Sequence, residues 1–251
     1  MRPPLRGTLN VVRFNWSFYL GAGVAAGCAA AVMGLAPKQA SAPVGWLRPL
    51  AKAGLALGGL ATVNSLLATY YVYDASGYFR LGWLDGLPPP RRLLNVNAGF
   101  DELTQLLRER YPAAEVAPVD FYDAATHTEA SIARARAAYP PPEGTVQLGR
   151  PAHVSRLQPA DLIVAALSAH EIRDEAERVD FFARLRGRLT PSGHIVLVEH
   201  LRDFANALAY TVGVGHFHSR TTWQRTFEGA GLRVVGERQH TPFLRVITLA
   251  L

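Results

Sequence analysis

The stretch LLNVNAGFDELTQLLRERYPAAEVAPVDF, residues 93–121, decides the fold. An apolar run at residues 93–97 leads into a turn at Gly99, an amphipathic stretch follows over residues 101–111, and a second apolar run ends at Phe121. Two strands joined by a helix run parallel, because the helix carries the chain back to the starting edge of the sheet. The stretch therefore predicts a parallel sheet covered by helices.

The same alternation continues toward the C-terminus. Apolar runs such as DLIVAAL and HIVLVEH alternate with helical patterns such as EAERVDFFARLRGRL, and residues 139–144 and 190–193 are predicted breaks between units. The last two apolar runs are separated only by Pro242, which leaves no room for a crossover and predicts an antiparallel pair. We therefore expect an α/β fold with a doubly wound, mostly parallel seven-stranded sheet over residues 88–251.

Charge is divided unevenly along the 251 residues, whose net charge is +6. Residues 1–92 hold nine Lys and Arg against two acids, a balance of +7, whereas residues 93–251 hold 17 Arg against 18 acids, a balance of −1. The basic excess lies in the apolar N-terminal third, which indicates lipid headgroups and no nucleic-acid partner. A single cysteine excludes an intrachain disulfide.

Two uncharged runs, residues 14–37 and 53–73, are 24 and 21 residues long, enough to cross a bilayer as helices. Glycines spaced four apart suit close helix pairing, and aromatic residues, Trp83 among them, cluster at the ends as in an interfacial belt. We predict a membrane hairpin over residues 1–87, with transmembrane helices at about 14–36 and 53–73 and an interfacial segment. A cleaved signal sequence and a buried core helix are the alternatives.

The orientation of the hairpin follows from its flanking basic residues. Six arginines flank its outer ends and three basic residues lie in its loop. This excess favours the inner (cytoplasmic) membrane, with the soluble domain facing the cytoplasm. Residues 88–90, three consecutive prolines, serve as a stiff spacer.

Six local patterns, in the right order, resemble the class I S-adenosylmethionine-dependent methyltransferases. They are residues 94–101, 119–120, 131–136, 161–172, 189–199 and 222–232. The resemblance covers nearly all of residues 93–251. It implies a Rossmann-like fold, S-adenosyl-L-methionine as cofactor, and methyltransferase activity.

The resemblance also implies which residues bind the methyl donor: Asn95, Asn97, Gly99 and Asp101 in the first loop, and Asp120 at the ribose hydroxyls. The family's loop carries an acid where Asn95 stands and glycines where Asn97 and Asp101 stand. Asparagine tolerates left-handed backbone better than most residues, so the turn survives. The Asp101 carboxylate fits either a cationic group of the donor or the cap of the following helix.

Ionisable side chains concentrate at the predicted carboxyl ends of the strands, where ligands bind in open parallel sheets. These residues are His170, Glu171, Glu199, His200, His216 and His218. We expect the first four to be catalytic, with His170 or His200 as general base, and His216 and His218 to bind substrate. A hydrogen-bonded structural histidine and a helix-capping acid are the plainer alternatives.

The same six residues are also of the types that bind zinc or non-haem iron, but their spacing matches no compact motif, and we predict no metal. The apolar helix predicted at residues 203–210 is either a lid over the acceptor or a core helix.

The sequence thus predicts a membrane-anchored methyltransferase acting on a small apolar or lipid-like acceptor. A metal-dependent enzyme and a non-catalytic binding module on the same scaffold are the alternatives.

Overall fold

The structure, a computed structural model, describes residues 5–35 and 44–251. Within these residues the chain forms a sheet of seven strands. The strands are β1 (Arg92–Asn97), β2 (Glu115–Asp120), β3 (Val146–Gln147), β4 (Ala160–Ala166), β5 (Leu189–His200), β6 (Arg233–Gln239) and β7 (Leu244–Ala250). Their order in the sheet is β3-β2-β1-β4-β5-β7-β6.

All pairs in the sheet are parallel except those made by β7, which is antiparallel to both β5 and β6. The doubly wound, mostly parallel sheet predicted from the sequence is confirmed. Residues 190–193 differ from the prediction, because they continue β5 instead of breaking it. The structure places them at the start of the strand, where the register to β4 shifts.

Helices connect the strands on both faces of the sheet. The helices of this part are α4 (Thr104–Arg110), α5 (Ala130–Ala138), α6 (Glu175–Arg186), α7 (Phe204–Tyr210) and α8 (Arg220–Gly229). The switch in strand order lies between β1 and β4, so the carboxyl ends of these strands border the crevice where such sheets bind ligands.

Three helices precede the sheet: α1 (Arg6–Phe14), α2 (Trp16–Leu35) and α3 (Leu47–Tyr70). The sequence predicted α2 and α3, although α3 begins six residues earlier than expected, and it did not predict α1. Both α2 and α3 are long and apolar enough to cross a membrane, and the most apolar stretch of each is not buried in the protein. Residue 36, the expected end of the first span, and Lys38 lie outside the described residues.

The segment that follows α3 belongs to the core of the sheet domain. A π-helical turn (Tyr71–Ala75) and two short 3-10 turns lead from α3 to β1. Trp83 and Leu84 in this segment are 2% and 0% exposed, and they pack with Leu93, Val164 and Val196 of the sheet. The sequence assigned Trp83 to a membrane-interfacial belt, but the structure buries it in protein because one face of the sheet is covered by this segment.

Helix α1 is fixed to the same segment by its N-terminus. The Asp74 carboxylate accepts hydrogen bonds from the backbone N–H groups of Gly7 and Thr8, both at 2.9 Å, and from the Thr8 hydroxyl at 2.6 Å. Gly7 lies so close to Tyr73 that a Cβ at this position would fall 2.3 Å from the Tyr73 Cβ. The carboxylate therefore caps α1 and holds it against the domain.

We expect Asp74→Ala to lower the free energy of unfolding by about 1 kcal/mol, the usual effect of losing a helix cap. Loss of the cap also frees α1, so trypsin should cleave after Arg13 faster than in the parent. Limited proteolysis and thermal unfolding in detergent micelles measure both effects. Asp85→Ala is the matched control, because this exposed carboxylate pairs only with Arg110 at the surface. Equal cleavage rates for all three proteins would contradict the capping role.

Candidate active site

The loop after β1 turns sharply at Gly99, whose φ of +96° is a conformation that side chains rarely adopt. The Asn97 side chain stabilises the turn, because its Oδ1 accepts a hydrogen bond of 2.9 Å from the Gly99 N–H. Asp101 accepts from the backbone N–H groups of Leu103 and Thr104 and from the Asn95 side chain. Asp101 therefore has the geometry of a cap on the N-terminus of α4, which is the second of the two roles expected for it.

A cavity of about 180 Å³ lies between this loop and α1. Its lining includes Asn97 and Phe100 from the loop, Asn10 and Phe14 from α1, and Glu171 beyond β4. Among the described residues, the Nδ2 groups of Asn10 and Asn97 are buried without a hydrogen-bond partner. A buried amide donor without a partner is costly, so the cavity offers two donors to a ligand that carries acceptors.

Asp120, at the end of β2, is 2% exposed and forms an ion pair with Arg136 of α5. The Arg136 side chain also lies against Gly99, at the position that a Cβ there would occupy, and its guanidinium stacks 4.4 Å from the centre of the Tyr122 ring. Asp120 and Gly99 are therefore neighbours, as expected, but Arg136 covers both. A ligand that reaches the Asp120 carboxylate must share it with Arg136 or displace that side chain.

The strand ends bring a histidine and two acids together. Glu199 has no exposed surface, and its Oε2 lies 2.7 Å from Nδ1 of His170. Its other oxygen, Oε1, accepts hydrogen bonds from the backbone N–H groups of Ser168 and His170. Because a carboxylate only accepts, the His170 Nδ1 carries the proton of this pair. The other ring nitrogen, Nε2, is then directed to Glu171, whose Oε1 is 3.4 Å away.

Glu171 connects this pair to the cavity and to His216. Its Oε1 lies 3.3 Å from Nε2 of His216, and its side chain lines the cavity. Burial alone would lower the pKa of His170, but the carboxylates of Glu199 and Glu171 outweigh burial and raise it to about 10. Burial would raise the pKa of Glu171, yet His170 and His216 hold that pKa well below its usual range. His170 is therefore a strong base once its proton is lost.

His200 and His218 lie deeper than the sequence suggested. His200 is stacked on Phe217 and bonded through Nδ1 to the Phe243 carbonyl at 3.0 Å, and burial lowers its pKa to about 4. His218 lies 3.2 Å from the Arg178 guanidinium, and burial lowers its pKa to about 3. Neither lines the cavity beside Asn97, and His170 and His216 border it only through Glu171. Both have the hydrogen-bonded geometry of structural histidines.

His170, Glu171 and His216 also form a group with metal-ligand geometry. One ligand atom from each lies within 4.8 Å of the other two. The distances of 3.4 and 3.3 Å from Glu171 to the two histidines are close to the edge of a zinc tetrahedron with bonds of about 2.1 Å, an edge of about 3.4 Å. Glu199 on the far side of the His170 ring is the carboxylate partner that metal-bound histidines commonly have.

Sequence reasoning missed three contributors to the site: Asn10, Arg136 and Ser168. Ser168 precedes His170 and ties two strand ends together, since its N–H bonds Glu199 and its hydroxyl bonds the Val96 carbonyl. Arg136 had a local signal, because it lies in the helix after Asp120. Asn10 had none, because nothing in residues 6–14 ties them to a loop almost 90 residues away.

Comparison with known proteins finds a partial sequence match. Over 120 residues the chain is 34% identical to acetylserotonin O-methyltransferase of Mus musculus, and the match covers 45% of this chain and 29% of that enzyme. The matched stretch is thus less than a third of the relative's length. No family model matches the chain.

Solved structures extend the likeness to most of the chain. A methyltransferase of calicheamicin biosynthesis in its SAH-bound form superposes with a TM-score of 0.53 at 14% identity, covering 99% of this chain and 73% of that one. Human N-acetylserotonin methyltransferase in complex with SAM gives 0.51 at 15% identity, covering 89% of this chain and 65% of that one. The chain therefore has the fold of the class I S-adenosylmethionine-dependent methyltransferases, and the resemblance in the sequence is confirmed.

The low pKa of His200 predicts a loss of stability in acid. Unfolded His200 takes up a proton near its ordinary pKa of about 6.5, whereas the folded protein resists until about pH 4. The contribution of His200 to the free energy of unfolding should therefore be fully present above pH 6.5 and fall as the pH drops toward 4, by up to about 3 kcal/mol. His200→Gln keeps an N–H donor and should flatten this decline in denaturant titrations. His194→Gln, a half-buried histidine elsewhere on β5, should leave the decline unchanged; equal slopes in both variants would contradict the assignment.

Proposed function

We propose that the protein is a membrane-anchored S-adenosylmethionine-dependent methyltransferase that methylates a hydroxyl group of a small apolar acceptor. One observation carries the proposal: the buried Glu199–His170 pair lies next to Glu171, which lines a cavity walled by the loop after β1. We assign the role of base to His170, which borders the cavity through Glu171. The solved structures with the same fold include SAM-bound and SAH-bound methyltransferases.

The residues present fit the donor. Its carboxylate requires hydrogen-bond donors, and the unpaired Nδ2 groups of Asn97 and Asn10 supply two of them. Once the Arg136 side chain moves away, Gly99 leaves room for close approach and the Asp120 carboxylate is open to the ribose hydroxyls. When bound, S-adenosylmethionine supplies an electrophilic methyl group on a positively charged sulfur.

His170 acts on the acceptor as general base. Glu199 fixes the ring through Nδ1. Because Glu171 holds a proton on Nε2 and the pKa of the ring is raised to about 10, Nε2 accepts the proton of the acceptor hydroxyl only after it has lost its own. Glu199 also stabilises the imidazolium that results. An alcohol or phenol needs such a base, whereas a free amine is already a nucleophile, and the relative in Mus musculus is named an O-methyltransferase.

The cavity favours an apolar acceptor. Val11, Phe14, Phe100 and Ile132 are among its apolar lining residues, and its volume is about 180 Å³. The helices α2 and α3 supply the anchor, since both are long and apolar enough to span and their most apolar stretches are unburied. Anchoring raises the concentration of a membrane-dissolved acceptor near the site. We place the protein in the inner membrane with the sheet domain facing the cytoplasm.

A second candidate is a metal-dependent enzyme on the same scaffold. The close grouping of His170, Glu171 and His216 favours it, because a divalent cation there would bind and acidify an acceptor hydroxyl. In that case His170 is a ligand and not a base.

The donor site is tested by calorimetry with S-adenosylmethionine. Asp120→Ala removes an acceptor for the ribose hydroxyls and should weaken binding by about 1.5–3 kcal/mol, roughly 10- to 150-fold. Gly99→Val should abolish binding while the sheet remains folded, because the loop lies outside the sheet. Arg136→Ala is the matched control: it removes the partner of Asp120 without removing the carboxylate, and should bind at least as tightly as the parent. Parent-like affinity in both Asp120→Ala and Gly99→Val would mean that the donor does not bind here.

The base is tested by transfer of labelled methyl to hydroxylated aromatic compounds dispersed in vesicles. His170→Gln should lower kcat by about 10²- to 10⁴-fold with an unchanged donor Kd, because a base acts on the reaction and not on donor binding. His240→Gln, outside the site, should retain parent activity. The same assay on chelator-treated protein, with elemental analysis, separates the two candidates. Full activity without metal supports the base, and loss that zinc reverses supports the metal-dependent enzyme.

A further inference from the structure

Helix α7 and the 3-10 turn after it (Thr211–His216) carry a row of exposed apolar side chains. Phe204, Leu208 and Val212 are 78%, 56% and 85% exposed. Their spacing of four places Phe204 and Leu208 on one face of α7, and Val212 follows where the next turn begins. Such a row, which no other part of the described chain covers, indicates an apolar binding partner.

The adjacent side of α7 packs against α3. Ala205, Leu208 and Ala209 line a shallow groove there together with Asn64, Leu67 and Ala68 of α3, and Phe243 lies at its end. This contact fixes which side of α7 is left open. The open row therefore continues the exposed apolar surface of α3, where Leu60 and Leu67 are 58% and 60% exposed.

The contact with α3 also fixes the depth of α7. Asn64 and Ala68 lie six and two residues before the end of α3 at Tyr70, which at about 1.5 Å per residue places the contact roughly 3–9 Å inside the helix. They also lie inside the uncharged run of residues 53–73. If α3 spans the bilayer, α7 lies at the boundary of headgroups and acyl chains, the depth of about 5–10 Å at which amphipathic helices rest.

We propose that residues 204–212 form a second membrane contact, in which Phe204, Leu208 and Val212 insert among the acyl chains of the leaflet that faces the sheet domain. This inference rests on the membrane anchoring proposed above. The occupant is the lipid bilayer, because the row is continuous with α3 at bilayer depth.

The contact bears on the site through the turn that follows α7. Arg173 and Arg202 hold this turn, since both guanidinium groups bond the Gly215 carbonyl and Arg173 also bonds that of His216. His216 in turn contacts Glu171. The contact thus brings the acid and histidine cluster to the membrane surface, and an acceptor dissolved in the leaflet reaches it without crossing bulk water.

Spin labels on the full chain in lipid nanodiscs test the proposal. Cys28, the single cysteine, is first replaced by alanine, and one label is then attached at Leu208→Cys in this background. Val212→Cys is a second reporter on the row. Val235→Cys is the matched control, because Val235 is an exposed apolar residue that is not part of the row. It is 49% exposed and lies on β6 near the pairing with Thr248, away from Phe243. Leu57→Cys, 68% exposed on α3, reports on the anchor itself.

Collisions with oxygen, which concentrates in lipid, are compared with collisions with a water-soluble nickel chelate. We expect the oxygen-to-nickel ratio at positions 208 and 212 to exceed that at 235 several-fold and to approach that at 57. Water-like ratios at 208 and 212 with a lipid-like ratio at 57 would overturn the second contact and leave the anchor intact. Water-like ratios at all four positions would overturn the anchor as well. Exclusion of both reagents at 208 and 212 would mean that another copy of the chain covers the row, which also overturns the proposal.

Discussion

A carboxylate with no exposed surface must be fully paired, and Glu199 imposes this requirement on the centre of the molecule. Its partners are the backbone N–H groups of Ser168 and His170 and the His170 ring, all from the segment just after β4. The end of β5 is thereby locked to the end of β4. The same lock orients the His170 ring, so the arrangement that satisfies a buried charge also defines the chemistry of the site.

Much of the sheet domain was predictable from the sequence, because the signals are local. The alternation of apolar runs and amphipathic stretches predicted the parallel sheet with its helices, and the short link at Pro242 predicted the antiparallel end. His170 and Glu199 were found together because parallel strands end at one edge. The sequence did not distinguish His200 from His170. His200 follows Glu199 on β5, and neighbouring residues on one strand point to opposite sides of the sheet. Only its packing against Phe217 and Phe243 shows that His200 is enclosed.

The N-terminal part was harder, because its signals are ambiguous. The length of the two uncharged runs predicted α2 and α3. Aromatic residues near the end of a span, however, give the same sequence pattern whether they contact lipid or pack against protein. Trp83 was assigned to an interfacial belt and is buried against the sheet. Helix α1 escaped prediction because its buried residues are Gly7, Asn10 and Phe14, of which only Phe14 is apolar. Its position depends on Asp74, a partner 66 residues away in sequence from Thr8.

The burial of the segment before β1 has a practical consequence for dissecting this protein. Removing residues 1–87 to obtain a soluble enzyme would delete large buried side chains, each at most 3% exposed: Val72, Tyr78, Leu81, Trp83 and Leu84. Large apolar side chains contribute about 1.5–3 kcal/mol each when buried, against a net stability of about 5–15 kcal/mol for a whole domain. Such a fragment would also expose the sheet face that they cover, and would aggregate. A truncated form that folds must begin upstream of Val72 and carry the last turn of α3 with it.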